Sequence, residues 1–525
     1  MKAHFLPILF ACLASTAFAQ NQRPNITNLA ASVNWTTNTL TLTYDVADAE
    51  NDPLEISFAI SNNGGKTYTP ASILLLPTGD VGFPVAPGTG KSISCDVSSF
   101  AGLSGLFTVR LLADDRQPVD IQSLVNQVDS TRLRNDLSFV EGIRHRTTGA
   151  AHLQATRDSL QSLFAGLGLF TDIQSFNYAN TMGRNIIGTS PGTGVAERVV
   201  VVDAHYDTVQ NAPGADDNGS GTVGVMEIAR ILAGWPSKKS LRFIGFDLEE
   251  AGLVGSQRYV QSGIPAGETI EGVFNFEMIG YYTEMPNTQE LPAGFNLLFP
   301  DAYNAVAADD FRGNFITNVG NAASQSLIDL FKNAAAQYVP GLKVVSVAVP
   351  GNGQIASDLR RSDHAPFWDT GRKALMLTDG ADFRNECYHT PADTASEKLN
   401  FTFMSNVVKA TLAAAAQLAE IQHAGWATTT FEKTSAAHEP TPCQWQAWTD
   451  GDFPAQLFVT AGQCPSEAAH LELLDEKGSH IFSQTVHLQE NAVETLLLPR
   501  ALPTGLYILK LSQRDGVSAQ KLFIR

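Results

Sequence analysis

The chain has 525 residues, 44% of them hydrophobic and 17% charged, which is too long for one ordinary domain and too apolar for extended disorder. Its formal net charge is −18. A chain this acidic is repelled by phosphate backbones and anionic lipid, so nucleic acid and charged membrane surfaces are excluded as expected partners.

Lys2 and His4 give a short basic start, and an apolar run follows from Phe5 to about Leu13. Ala17-Phe18-Ala19 then offers small residues at the two positions a signal peptidase reads. Residues 1–19 are therefore expected to be a signal peptide, with the mature chain secreted, extracellular or at the cell surface. No other stretch is apolar and long enough for a membrane span. Cys12 leaves with the signal; Cys95, Cys387, Cys443 and Cys464 remain, without the paired spacing of a cysteine-rich zinc site. Cys443 and Cys464 lie close enough in sequence to pair in an oxidising compartment.

Residues 20–118 read as a β-sandwich of immunoglobulin or fibronectin type. Thr39 to Tyr44 and Leu54 to Ile60 alternate with the period of two expected of half-buried strands, and Asn62-Asn63-Gly64-Gly65 marks a turn. From 119 to 425 the pattern changes. Leu153 to Phe164 and Thr222 to Ala233 carry helical spacing, while Arg198 to Ala204 and Ser240 to Phe246 are continuous apolar runs, as in strands covered on both faces. This alternation predicts a layered α/β domain with a mainly parallel, mixed central sheet. Residues 426–525 return to strands, among them Leu471 to Leu474 and Leu506 to Leu511, and predict a C-terminal β-sandwich.

Five segments of the middle region carry chemical signal, three of them just after a predicted strand, where open α/β sheets place ligands. In Ala204-His205-Tyr206-Asp207 an imidazole is offered to a metal, with Asp207 placed to hold its other ring nitrogen. Gly214 to Gly221 contains Asp216-Asp217, and a carboxylate such as Asp217 has two oxygens with which to bridge two cations; the same segment also suits a helix N-cap. Asp247-Leu248-Glu249-Glu250 crowds carboxylates that repel one another unless a cation neutralises them; one can ligand a metal while the other takes a proton from water. Glu277 sits in the apolar run Asn275 to Gly280 and needs a cation of some kind. Cys387-Tyr388-His389 offers a second imidazole and a phenol able to donate to an oxyanion.

In order and spacing these segments resemble the M28 family of zinc exopeptidases, over roughly His145 to Leu418. Gly142 to Arg146 and Ser362-Asp363-His364-Ala365-Pro366-Phe367 resemble further family segments, His364 as support and not as a ligand. The resemblance implies a three-layer α/β/α zinc-exopeptidase domain flanked by N- and C-terminal β-sandwiches. It implies two Zn2+ per chain, one held by His205, Asp217 and Glu277, the other by Asp217, Glu250 and His389. Asp207 would orient His205, Glu249 would be the general base, Tyr388 would assist the oxyanion, and the Asp216–Asp217 bond would be cis. Many members carry aspartate where this chain has Glu277, which reaches one methylene further.

The activity so implied is hydrolysis of terminal peptide bonds in peptide or protein substrates, foremost as an aminopeptidase. A carboxypeptidase or dipeptidase, or a glutaminyl cyclase of the same fold, fits the same residues. A non-catalytic surface binding protein is the reading of another class, though such a module has no use for Glu249 beside Glu250. The tail, Leu502 to Leu511 followed by Lys521 to Arg525, resembles the C-terminal sorting domain of type IX secretion, which implies that secretion machinery as a partner.

Overall fold

The computed structural model describes residues 21–71, 75–100, 103–395, 398–433 and 445–524, the last stretch with breaks at 451–452, 462–467, 488–492, 499–501 and 514–515. The signal segment, Cys443 and Cys464 lie outside the described residues. Cys95 and Cys387 are both buried free thiols. Among the described residues no helix is long and apolar enough to cross a membrane.

The chain forms two compact units. The larger contains the N-terminal sandwich and the α/β domain. In the sandwich, Thr39–Ala47 pairs antiparallel with Asn25–Asn34 and Gly88–Asp96. The facing sheet is built from Leu54–Ser61 and Gly105–Asp114, also antiparallel. Leu40, Leu42, Tyr44 and Val46 from one sheet, and Leu54, Ile56, Phe58 and Ile60 from the other, are buried, so the period-two pattern is the inner face of each strand. One boundary differs from expectation. Ala424–Lys433 is not part of the C-terminal β-unit but joins the N-terminal sandwich beside Gly105–Asp114. Its Phe431 stacks on Phe107 with ring centroids 5.0 Å apart, which supplies the apolar anchor that draws the strand back.

The α/β domain is built on eight strands: β1 (Phe170–Tyr178), β2 (Thr181–Ser190), β3 (Val195–His205), β4 (Lys239–Phe246), β5 (Thr269–Phe276), β6 (Ile316–Asn321), β7 (Val344–Val349) and β8 (Ala374–Thr378). Their order across the sheet is β7-β6-β8-β5-β3-β4-β2-β1. The central strands β4, β3, β5 and β8 are parallel, and the antiparallel pairs are β8 with β6, β4 with β2, and β2 with β1. Along β3, Val200 and Val202 join one apolar cluster and Val199 and Val201 another, on opposite faces of the sheet. That double coverage is why β3 and β4 read as continuous apolar runs. The first face is covered by α1 (Ala150–Gly166), α2 (Gly221–Leu232), α3 (Gln325–Tyr338) and α4 (Phe401–Ala419), which contribute Leu160, Met226, Phe331 and Val408 among others. The second is packed by Tyr259, Phe295, Phe367 and Trp368. The architecture is therefore a mixed α/β domain with a large central sheet, flanked by β-domains.

Register decides where chemistry sits. His205 at the end of β3 pairs with Phe246 at the end of β4, Asp203 pairs with Asn275, and Phe276 pairs with Leu377. The residues that follow these strands consequently emerge at one edge, the carboxyl end of the parallel core.

The smaller unit is a separate β-structure with sheets of three and four strands, the latter ordered His480–His487, Ala468–Asp475, Gly505–Gln513, Gly516–Ile524. Leu471, Leu473, Leu509 and Leu511 face its core.

Candidate metal centre

The carboxyl edge gathers all the predicted ligands. His205 Nε2 lies 3.3 Å from Asp217 Oδ1 and 3.2 Å from Glu277 Oε2. His389 Nε2 lies 2.9 Å from Asp217 Oδ2 and 3.3 Å from Glu250 Oε2. The two oxygens of Asp217 thus face two different imidazoles. Glu249 is on the His205 side, its Oε2 at 3.9 Å from Nε2. By proximity of donor atoms the groups are His205 with Glu249 and Glu277, and Asp217 with Glu250 and His389.

The loops that deliver these groups are tied to one another. Asp207 sits with Oδ1 3.5 Å from His205 Nδ1, but the closer approach to that nitrogen is its own backbone carbonyl at 3.2 Å. The Asp207 carboxylate also holds two amides: Oδ1 accepts the Glu249 N–H at 3.0 Å and Oδ2 the Glu250 N–H at 3.2 Å. One side chain therefore couples the β3 loop to the β4 loop. The extra methylene of Glu277 is held in place by Ser362 Oγ, which donates to Oε2 at 2.8 Å, and by Asn218 Nδ2 at 3.2 Å. Tyr388 stacks on the His389 ring with centroids 3.8 Å apart, and its hydroxyl accepts from Arg361 Nη2 at 3.1 Å. His389 itself has φ +57°, a region that costs a non-glycine residue about 1 kcal/mol or more and persists where surroundings over-determine it. His364 stands apart from the cluster, buried, with Nε2 3.0 Å from the Leu359 carbonyl.

Two further residues support the centre, neither of them assigned a role from the sequence. Asp393, four places beyond His389, accepts the Asp216 N–H at 2.9 Å and the Asp217 N–H at 3.1 Å, joining the loop of the second imidazole to that of the central carboxylate. Arg144 is fully buried, and its guanidinium donates to the carbonyls of Tyr206, Val140, Pro213 and Gly214 at 2.6–2.9 Å. All these acceptors are backbone, so it braces the loops behind His205 and Asp217 while adding positive charge near their acids. Gly214 permits this approach: its φ is +62°, and a Cβ there would fall 2.3 Å from the Asp217 carbonyl oxygen. The cis bond expected at Asp216–Asp217 is instead at Asp217–Asn218. Both amides flanking the expected position are committed to Asp393, while Asn218 turns its side chain to the Phe276 carbonyl at 2.7 Å.

The arrangement suits cations. Asp207, Asp217, Glu249, Glu250 and Glu277 bring five carboxyl groups to two imidazoles. Burial and the neighbouring Asp217 push Glu250 up to about 7. Burial also raises Glu249 well above the usual carboxylate range, and the nearby Glu277 and Glu250 add to it. Burial works to lower His389, yet Asp217 and Glu250 carry it up to about 10. His205 Nε2, Asp217 Oδ1 and Glu250 Oε1 are buried without a hydrogen-bond partner, a cost of roughly 1–3 kcal/mol per group if nothing engages them. Metal ions between these atoms would remove both the unmet polarity and the repulsion. Nitrogen and carboxylate donors together match zinc better than magnesium or calcium.

Comparison with known proteins agrees with this chemistry: the model of peptidase family M28 matches residues 185–415. Over that stretch the central domain is similar to M28 peptidases. Among curated relatives, uncharacterized protein YfbL of Escherichia coli is 29% identical over 270 residues, covering 49% of this chain and 78% of that protein. Aminopeptidase YwaD of Bacillus subtilis is 31% identical over 222 residues, covering 41% of each. The solved zinc aminopeptidase BSAP of Bacillus subtilis is 25% identical, with a TM-score of 0.36, covering 46% of this chain and 52% of that one. The chain thus spans about half the length or less of the two named aminopeptidases. Within these bounds the central domain is that of an M28-like zinc metallopeptidase.

Proposed function

We propose that the protein is a two-zinc aminopeptidase in which His205, Asp217 and Glu277 hold one ion and Asp217, Glu250 and His389 the other. The observation that carries this reading is the Asp217 carboxylate, with one oxygen 3.3 Å from His205 and the other 2.9 Å from His389. Bound zinc would supply Lewis acidity, polarising a carbonyl and making water acidic enough to lose a proton near neutral pH. Glu249, buried and outside the closest contacts of either imidazole, is the group left to accept that proton and return it to the leaving amine. Asp207 keeps Glu249 and Glu250 in register through their amides. Tyr388, whose hydroxyl already accepts from Arg361, has its own proton free to donate to the developing oxyanion.

The test is a panel of aminoacyl-anilides and of peptides blocked at either end, with and without a chelator. Release of the N-terminal residue from carboxyl-blocked peptides, abolished by chelation and restored by zinc, is expected. Cleavage confined to the carboxyl end, or ammonia release from N-terminal glutamine without hydrolysis, would replace the aminopeptidase reading. Export through the signal at 1–19, with the C-terminal β-unit beyond Lys433 as a type IX sorting segment, completes the proposal. Deletion beyond about residue 440 should then abolish release into the medium.

A further inference from the structure

The order of the sheet gives the metal centre two sides. β3, β4 and β5, in the middle, deliver His205, Glu249, Glu250 and Glu277. Towards β8, β6 and β7 lies a cavity that opens at Glu277 and Tyr388 and is backed by the 289–306 segment. Towards the other edge lies the hairpin of β1 and β2, with Tyr178 opposite Thr181 at its turn. Tyr178 donates its hydroxyl to the Ala251 carbonyl at 3.2 Å, which ties the hairpin tip to the loop carrying Glu249 and Glu250. The segment Gly142 to Thr148 is tied to the β3 loop. The Arg144 N–H donates to Thr208 Oγ1 at 2.9 Å, and Thr148 Oγ1 donates to the Gln210 carbonyl at 2.8 Å.

Arg146 joins these two anchored pieces. It is half-buried, and its guanidinium carbon lies 5.2 Å from the centre of the Tyr178 ring. Nη1 is buried and bonds to nothing, and among the described residues no carboxylate pairs with the group, although the chain has 53 acidic residues against 35 basic ones. An unmet donor on a charged group is costlier than a neutral one. The charge also acts on the centre's surroundings. Burial lowers the proton affinity of the neighbouring His145, Arg146 lowers it further, and Asp207 opposes both.

The geometry points to Arg146 as the residue that receives a carboxylate on the leaving part of the substrate, beyond the scissile bond. The inference rests on the peptidase reading and extends it to the other side of that bond. With the cavity backed on the β8 side, the remainder of a bound peptide runs out towards β2. A guanidinium presents a planar fork that pairs with both oxygens of a carboxylate, and the Tyr178 ring steadies the fork without consuming its donors. Two carboxylates can reach such a place: the terminal one of a short peptide, or an acidic side chain just after the bond.

Leu-Gly, Leu-Gly-amide and Leu-Asp-amide, compared by kcat/KM, separate these sources. One of the two acids should exceed Leu-Gly-amide by about 10–100-fold, the worth of a hydrogen bond to a charged group. Leu-Gly leads if the terminal carboxylate is the ligand, and Leu-Asp-amide leads if the side chain is. In Arg146→Gln that ratio should fall towards one, and Arg146→Lys should keep part of it, with zinc content reporting that each variant has folded. As a readout independent of turnover, the favoured acid should raise the melting temperature of the zinc-loaded Glu249→Ala protein more than Leu-Gly-amide does, and adding Arg146→Gln should remove the difference. Equal rates for all three substrates in the parent, or a preference for the acid that survives Arg146→Gln, would overturn the inference while leaving the peptidase standing. Absence of turnover on every substrate would strike the peptidase reading instead, and the melting shifts would then judge Arg146 alone.

Discussion

Asp207→Asn is the most informative single replacement, because it nearly preserves shape while changing what two loops can bond to. The carboxylate accepts one N–H with each oxygen, from Glu249 and from Glu250. An amide has one acceptor oxygen, so one of these buried N–H groups must face an NH2. Leaving a buried donor unmet costs about 1–3 kcal/mol. His205 is less affected, since its Nδ1 lies closer to the Asp207 backbone carbonyl, at 3.2 Å, than to the carboxylate at 3.5 Å. Losing a partner of a metal-ligating histidine commonly costs 10–100-fold in metal affinity. With the carbonyl retained, the lower end, about 10-fold, is expected here. Urea unfolding of the metal-free variant measures the first quantity, and competition with a chelator of known affinity measures the second. A variant as stable as the parent that binds zinc equally well would refute the coupling of these loops through Asp207.

Glu249→Ala should keep its zinc yet lose about 10²–10⁴-fold in turnover, the usual worth of general acid–base catalysis; near-normal turnover removes Glu249 from that role. Asp393→Ala strips the acceptor from the Asp216 and Asp217 amides and should cost about 2–6 kcal/mol in urea unfolding, with Asp393→Asn losing about half as much; an unchanged midpoint contradicts the tie. Burial lowers His364 from 6.5 to about 3, the Leu359 carbonyl opposing that shift. Between those values the unfolded chain binds a proton that the folded one refuses, so stability falls as pH falls through the window, by up to about 1.4 kcal/mol per pH unit from this group. His364→Gln should flatten that part of the urea-midpoint profile, and an identical slope would show that another group carries it.

What the sequence disclosed follows from what is local. Val199 to Val202 read as a buried strand because both faces of β3 are covered, and His205, Glu249-Glu250 and Glu277 were recognisable because each follows such a run. What it concealed depends on distant partners. Ala424–Lys433 looked like the start of the last domain, since a period-two strand does not say which sheet it joins; Phe107 decides that. Arg144 lies in the segment Gly142 to Arg146, yet its bracing role is not legible there because its acceptors are backbone carbonyls, which carry no residue signature. Asp393 belongs to the same short segment as His389, yet only the folded loop turns it towards Asp216 and Asp217. The link from Asp382 through Arg361 to Tyr388 spans three separate segments, and nothing in their spacing announces it.

Zinc titration of the metal-free protein, read as ions bound per chain, bears most directly on the metal centre. Two ions per chain are predicted for the parent and for Glu249→Ala, with loss of binding when His205 and His389 are replaced together. A single ion in the parent, or zinc held equally well without both imidazoles, would contradict the shared-carboxylate arrangement.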